Sequence, residues 1–323
     1  VNRLAGKDSG GTRRLKRAVT GILLLDKPAG ISSNIALQRV RRAFAAAKGG
    51  HTGNLDVAAT GLLPLCFGEA TKVSAFLLDA DKVYVADIAL GATTTTGDRE
   101  GEVLCERSAA GIEQADVEGV LTRFLGEIAQ VPPMYSALKR DGRPLYEYAR
   151  AGIELERAAR RVRIYSLRLL AYAPGSAHVE VHCSKGTYIR TLAEDIGEAL
   201  GCGAHLAALR RTRAGPFSLD DAHPLTRFQA PLSEPGGLDA LLLPVDSALG
   251  AFPLVTLEST DAERALAFGQ AVAVANPPLA GLCRVYARSG RFLGMGEIDG
   301  AGTLAPRRMM QTASEVPDQH QTR

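Results

Sequence analysis

GGHTGNLDVAATGLLP, residues 49–64, carries a single carboxylate, Asp56, in a run of glycine, threonine and small apolar residues. The only other polar side chains in it are His51, Thr52, Asn54 and Thr60. Aspartate in a glycine-rich loop ordinarily bonds nearby backbone N–H groups in a turn or cap. The other reading is a lone carboxylate shown to a substrate, as a nucleophile or as a base toward a carbon-bound proton. A glycosidase of the usual kind flanks its bond with two carboxylates, and this loop has one. In a dry pocket a carboxylate stays ionised beside a cation. The stretch SKGTYIRTLAEDIG, residues 184–197, offers Arg190 just inside a helix start, where Thr187 and Tyr188 would meet a pocket.

On either side of the loop the chain reads as strands with helices packed between them. GILLLDKP (21–28) is a buried strand ending at Pro28, and Ser33 is placed to cap a helix through NIALQRVRRAFAAA (34–47). That helix repeats apolar residues at Ile35, Leu37, Val40 and Phe44. LLPLCFGEATKVSAFLL (62–78) is apolar and partly helical, KVYVADIAL (82–90) is extended, and residues 114–126 are helical. ARRVRIYSLRLLAY and HVEVHCS are strands, the second by the alternation of Val179, Val181 and Cys183. Thr187 is placed to cap a helix through YIRTLAEDIGEAL, which GCG (201–203) stops. The pattern predicts an α+β domain on a mixed or antiparallel sheet with flanking helices.

A composition shift at 231–250 precedes a smaller unit. It holds a helix, DAERALAFGQ, and two strands, LCRVYAR and RFLGMGEI, joined at Ser289-Gly290. The expected division is a flexible basic tail (1–19), a main domain (20–250), a β-rich module (251–310) and a disordered tail (311–323).

With 323 residues, 46% of them apolar, the chain can bury a large core, and its length suits two domains. A net charge of +3 excludes a uniformly basic surface, so a polyanion must be met by local patches. Besides the N-terminus these are LKRDGR (Lys139, Arg140, Arg143), RAARRVR (157–163) and LRRTR (Arg210, Arg211, Arg213). Tyr135, Tyr146, Tyr148 and Tyr165 lie beside the first two, and an aromatic can stack on an unpaired base. Each cluster alone reads as a solvated face; three together favour a nucleic-acid surface. The five cysteines form no C-x-x-C pair, and neither they nor the six histidines have the spacing of a metal site. There is no P-loop, G-x-G-x-x-G turn, H-E-x-x-H or G-x-S-x-G elbow. No apolar run is long enough to span a membrane, and the polar, basic start lacks a signal-peptide core. Reduced cysteines then point to the cytoplasm. The opening Val, where Met is usual, suggests trimming at the front.

Five long stretches resemble, in order, the bacterial TruB family of tRNA pseudouridine-55 synthases. They are GILLLDKPAGISS, GGHTGNLDVAATGLLPLCFGEATK, LLDADKVYVADIALG, VPPMYSALKRDGRPLYEYARAGIELER and HCSKGTYIRTLAEDIGEALGCGAHLAALRR. The resemblance covers residues 20 to 215. It continues more weakly through GLCRVYARSGRFLGMGEID, which is similar to a PUA-like RNA-binding domain. It implies isomerisation of the T-loop uridine 55 of tRNA to pseudouridine, without cofactor or metal, by a monomer acting on the T-arm. It assigns catalysis to Asp56, with Arg190 pairing that carboxylate and Tyr84 stacking on the flipped base. Tyr188 and Leu209 would line the pocket, Lys27 would pack near it, and His51 would hold the extruded bases apart. Lys139, Arg140 and Arg143 would lie in a segment closing over the T-arm, and Arg210 and Arg211 at the RNA backbone.

The sequence also departs from the family pattern. Asn54 stands in place of a small residue, and Val57-Ala58 in place of Pro-Leu. Without that proline the loop is expected to be looser and the enzyme slower. GATTTTGDREG has threonine, at Thr94 or its neighbour, where the family often has aspartate. A second reading is therefore a non-catalytic tRNA-binding or folding chaperone on the same scaffold. A third, an Asp-dependent hydrolase of a small glycoside, leaves the basic-aromatic segment and the C-terminal module unexplained.

Overall fold

The computed structural model of the chain describes residues 16–229, 237–275 and 277–311. Residues 1–15 and 312–323 of the two expected tails lie outside the described residues, as do residue 230 and, in the composition shift, 231–236.

The first half of the main domain contains β1 (Gly21–Lys27), α1 (Ser33–Ala43), β2 (Gly49–His51) and β3 (Thr60–Phe67). Then come α2 (Ser74–Asp79), β4 (Lys82–Leu90), β5 (Ala92–Thr94), β6 (Val103–Glu106) and α3 (Gln114–Thr122). β7 (Gly126–Gln130) leads into an insertion with β8 (Lys139–Arg140), β9 (Arg143–Pro144) and α4 (Leu145–Arg150). β10 (Arg160–Ala173), β11 (Ser176–Cys183), α5 (Ile189–Ala199) and β12 (Ala204–Ala214) follow, then the short β13 (Phe217–Ser218) and β14 (His223–Pro224). The main sheet runs β14-β1-β3-β12-β4-β11-β10-β7, with β2 on β3 and β13 on β12. β1–β14 and β3–β12 are parallel and the other pairs antiparallel, so the sheet is mixed as expected.

The apolar run of β1 reflects cover on both faces. Leu23 and Leu25 enter the main core with α1 and α5, while Ile22 and Leu24 enter a second cluster with Leu62, Cys66 and Met295 of the C-terminal module. Each such fully buried side chain contributes roughly 1.5–3 kcal/mol of hydrophobic stabilisation. β4 alternates instead, with Lys82, Tyr84, Ala86, Ile88 and Leu90 buried, so Tyr84 faces the same side as the core. Gly61 lies opposite Arg211 where β3 meets β12 in parallel. A Cβ at Gly61, φ +101°, would come within 2.3 Å of the Arg211 carbonyl oxygen.

Three local expectations are corrected. α1 is capped by Ser32, whose Oγ accepts from Ile35 N, not by Ser33, and Ile35 points outward with Ala36 buried in its place. Thr187 does not cap α5: the cap position is Tyr188, and Thr187 Oγ1 donates to Ser184 O at 2.9 Å. The 114–126 helix stops at Thr122, because Gly126 takes φ +86° and opens β7.

The C-terminal module contains β15 (Leu254–Leu257), α6 (Thr260–Ala267), β16 (Val272–Ala273), β17 (Gly281–Ala287), β18 (Phe292–Ile298) and β19 (Thr303–Met309). These strands form a separate sheet, β15-β17-β18-β19-β16, with its own apolar core. The β17–β18 turn is at Gly290, φ +82°, as the sequence predicts. β19 was not anticipated, since TLAPRRM carries a proline and two arginines and does not read as a strand.

Candidate active site

The Asp56 loop connects β2 to β3, and main-chain bonds fix it on both sides of the aspartate. Ser33 Oγ accepts from Leu55 N at 2.9 Å and donates to Leu55 O at 3.1 Å. On the other side Val57 O accepts from Gly30 N at 2.9 Å and from Lys27 Nζ at 3.4 Å. Below the loop Arg211 donates from Nε to Leu62 O at 2.8 Å and from Nη2 to Gly53 O at 3.1 Å. The loosening expected from the missing proline is therefore opposed by ties from β1, α1 and β12. Lys27 is fully buried and also donates to Pro28 O and Ile31 O. Burial lowers its pKa to about 8, while Asp56 pulls it the other way.

Asp56 is part-exposed and meets Arg190, the second residue of α5. Arg190 Nε lies 3.1 Å from Asp56 Oδ2, and the guanidinium is buried apart from that contact. Its other nitrogens are fixed by carbonyls: Nη1 to Thr96 O at 2.9 Å and Nη2 to Tyr135 O at 2.8 Å. Nε also lies 3.7 Å from Asp98 Oδ2. Asp98 is buried, with Oδ1 accepting from Thr96 Oγ1 at 2.6 Å and from Glu100 N at 3.1 Å. The resemblance implies a threonine, at Thr94 or its neighbour, where the family often has aspartate; a carboxylate beside Arg190 is supplied by Asp98. Further along α5, burial and then Asp195 push the Glu194 carboxyl above its ordinary range, against Arg190, which pulls it down.

The pair opens on a cavity of about 250 Å³, lined by Tyr84, Tyr188, Leu209, Lys82 and Arg211 among others. Tyr84, Tyr188 and Leu209 are thus brought together as the sequence reading placed them. Burial raises the pKa of the Tyr84 hydroxyl, against the charge of Arg211, which pulls it down. Lys82 was not singled out. It is buried, with Nζ donating to Leu78 O at 2.7 Å and to Leu77 O and Ala80 O at the end of α2, and burial lowers its pKa to about 8. Lys27 and His51 are not among the residues lining this cavity. His51, on β2, is half-buried, and burial followed by Arg211 pushes its imidazole below the ordinary value.

The basic residues separate into different settings. Arg211, expected at the RNA backbone, is only 1% exposed; its guanidinium is fixed under the Asp56 loop, on the cavity floor. Arg210 is part-exposed and pairs with Asp26 at 2.8 Å. In the exposed insertion, Arg143 meets Glu147 at 3.0 Å and lies 4.6 Å over the Tyr148 ring, and Arg140 donates to Glu156 O. Lys139 has no such tie among the described residues. In RAARRVR, Arg157 pairs with Glu154 and Arg161 with Glu127, the pattern of a solvated face. Among the described residues no three His, Cys, Asp or Glu side chains converge as metal ligands. None of their helices is long and apolar enough to cross a membrane.

Comparison with known proteins gives matches along the chain. Residues 41–189 match the TruB family pseudouridylate synthase N-terminal domain, and 190–250 the tRNA pseudouridylate synthase B C-terminal domain. Residues 253–310 match the pseudouridine synthase II TruB C-terminal domain. A tRNA pseudouridine synthase B of Pseudomonas aeruginosa (strain UCBPP-PA14) is 53% identical over 302 residues, 93% of this chain and 99% of the relative. One of Ectopseudomonas mendocina (strain ymp) is 54% identical over 304 residues, 94% and 99% of the two chains. Among solved structures, a chain of a Cbf5-Nop10-Gar1 complex superposes with TM-score 0.67 at 25% identity, covering 87% of this chain and 78% of that one.

Proposed function

Since the chain belongs to the TruB family of pseudouridylate synthases, we propose that it acts on the T-loop uridine at position 55, with Asp56 as its catalytic group. The protein isomerises uridine in tRNA to pseudouridine. In that reaction the N1–C1′ bond breaks, the base turns, C5 bonds to C1′, and the C5 hydrogen leaves as a proton while N1 gains one. Substrate and product have the same composition, so the chemistry calls for no redox partner. The observation that carries the assignment is the Asp56–Arg190 pair, 3.1 Å apart at the edge of the cavity walled by Tyr84, Tyr188 and Leu209.

An extruded uridine enters that cavity with its base against the Tyr84 ring and its ribose toward Asp56. Asp56 acts at the ribose, and Arg190 keeps the carboxylate charged and aimed. Lys27 secures the loop behind it. His51 keeps neighbouring bases of the T-loop out. Lys139, Arg140 and Arg143 meet phosphates of the T-arm from the insertion, with Arg210 at the other side, and the PUA-like module at 251–310 adds RNA contact. The protein works as a monomer in the cytoplasm, where its substrate is found. The chaperone reading is not favoured, because the loop retains both its carboxylate and its arginine.

The test is tritium release from a tRNA transcript carrying C5-tritiated uridine. Wild type releases tritium, Asp56→Asn does not, and a transcript with cytidine at position 55 gives none with either. Release from the cytidine-55 transcript at the wild-type rate would place the target elsewhere in the tRNA.

A further inference from the structure

Gln130, the last residue of β7, is 2% exposed and lies directly opposite Arg160 in the β7–β10 ladder. Its amide is used at both ends by one residue. Oε1 accepts from Tyr188 N at 3.0 Å, and Nε2 donates to Tyr188 O at 3.3 Å. Tyr188 occupies the cap position of α5, and no side chain caps that helix. Its carbonyl also accepts the first bond of the helix, from Leu192 N at 3.0 Å. Of the usual side chains of this length, only an amide supplies a donor and an acceptor together; glutamate lacks the donor, and leucine lacks both.

The same short segment bonds to the start of α5 once more. Tyr135 O accepts from Arg190 Nη2 at 2.8 Å, and Ser136 lines the same cavity as Tyr188. Residues 130–136 therefore bear on Tyr188 through Gln130 and on Arg190 through Tyr135 O, and Arg190 faces Asp56 two residues after the clamped backbone. We propose that Gln130 is a positioning residue: its amide fixes the Tyr188 backbone and so sets the direction in which Arg190 meets Asp56. The inference rests on the isomerase activity and not on which arm of the tRNA is modified.

The experiment compares the full chain with Gln130→Glu and Gln130→Leu in single-turnover tritium release from tRNA between pH 5 and 8.5. Filter binding and melting temperature are measured beside it. At pH 8.5 the Gln130→Glu carboxylate has no donor for Tyr188 O, and the rate falls roughly 10- to 100-fold, the scale of a misplacement of about 1 Å. tRNA affinity stays within about twofold. As the pH falls the carboxyl protonates and regains an O–H donor, so its rate relative to wild type rises. Burial favours that protonation, while Arg160 and Arg190 oppose it. Gln130→Leu stays slow by a constant ratio at every pH. Hydrogen exchange of the peptide spanning 186–192 quickens in both variants, a readout that needs no turnover.

Rates equal to wild type throughout would overturn the proposal. So would rate, affinity and melting temperature falling together, which is a folding defect alone. A wild type that releases no tritium would count against the isomerase reading instead. The exchange measurement then decides by itself, and unchanged exchange at 186–192 rejects the clamp.

Discussion

The loop that carries Asp56 and the insertion that carries Lys139 border the same cleft but are secured in opposite ways. The loop is tied to distant parts of the main domain: Ser33, Lys27, Gly30 and Arg211 bind its backbone at Leu55, Val57, Gly53 and Leu62. The insertion is tied largely to itself, through Arg143 to Glu147 and Tyr148, Arg140 to Glu156, and Arg150 over the Tyr146 ring. It reaches the site through Tyr135 O, which accepts from Arg190, and through Ser136, which lines the cavity. A reacting carboxylate needs a fixed direction, whereas a surface that gathers a charged polymer needs its cations at the surface. In the function proposed above, the two regions divide those tasks.

Substitutions on the loop side should affect rate or fold, and those on the insertion should affect binding. The largest expected effect is at Asp56: Asp56→Asn lowers the single-turnover rate by about 10⁴-fold or more, with tRNA affinity near wild type. Loss of binding in that variant would break the division. Arg190→Lys retains the charge but lacks the planar fork that reaches Thr96 O and Tyr135 O while facing Asp56. Its rate falls about 10²- to 10³-fold, measured by the same tritium release. A variant within threefold of wild type would mean that charge alone is needed there.

Arg211→Met tests the buried arginine. It leaves Leu62 O and Gly53 O without partners, at a cost of about 3 kcal/mol in urea unfolding. The salt slope of tRNA binding stays as in wild type; a flatter slope would return Arg211 to the phosphate footprint. Lys139→Ala does the reverse. Stability is unchanged, and the slope of log K against log salt drops by roughly 1.

The smallest effect is a pH dependence at Lys82. Its pKa is 10.5 when exposed and about 8 in the fold, so between those values the folded chain holds fewer protons than the unfolded chain. Its contribution to stability therefore rises with pH across that window. Lys82→Met removes this contribution, so its melting temperature slips further below wild type as the pH goes from 8 to 10. A constant offset would indicate that Lys82 stays charged, held by its three carbonyls. Cys66, whose thiol burial raises to about 12, acts in the opposite sense above 9 in both proteins and cancels from the difference.

Much of this site was legible before any coordinates. Asp56 was noticeable because its loop held no other carboxylate, and Arg190 because it follows a glycine-threonine turn into a helix. The family resemblance singled out Tyr84, and the structure has it facing the cavity. Asp98, Lys82 and Gln130 were not legible. Each is a polar residue whose importance comes from burial against residues far along the chain, and a local pattern carries no sign of that. Ser32 and Ser33 are adjacent and alike in sequence, yet one caps α1 and the other holds Leu55.

Apolar periodicity and turn residues in the sequence determined the mixed sheet, the helices between its strands, the C-terminal hairpin and the lone carboxylate in its glycine-rich loop. These signals are local, since a strand or helix must present one apolar face wherever it packs. Tertiary structure alone decided the part each charge plays. Arg210 and Arg211 are neighbours in one basic run, but their side chains leave β12 on opposite faces. One pairs with Asp26 at a part-exposed position, and the other is buried under the Asp56 loop, bonded to carbonyls of residues some 150 positions away.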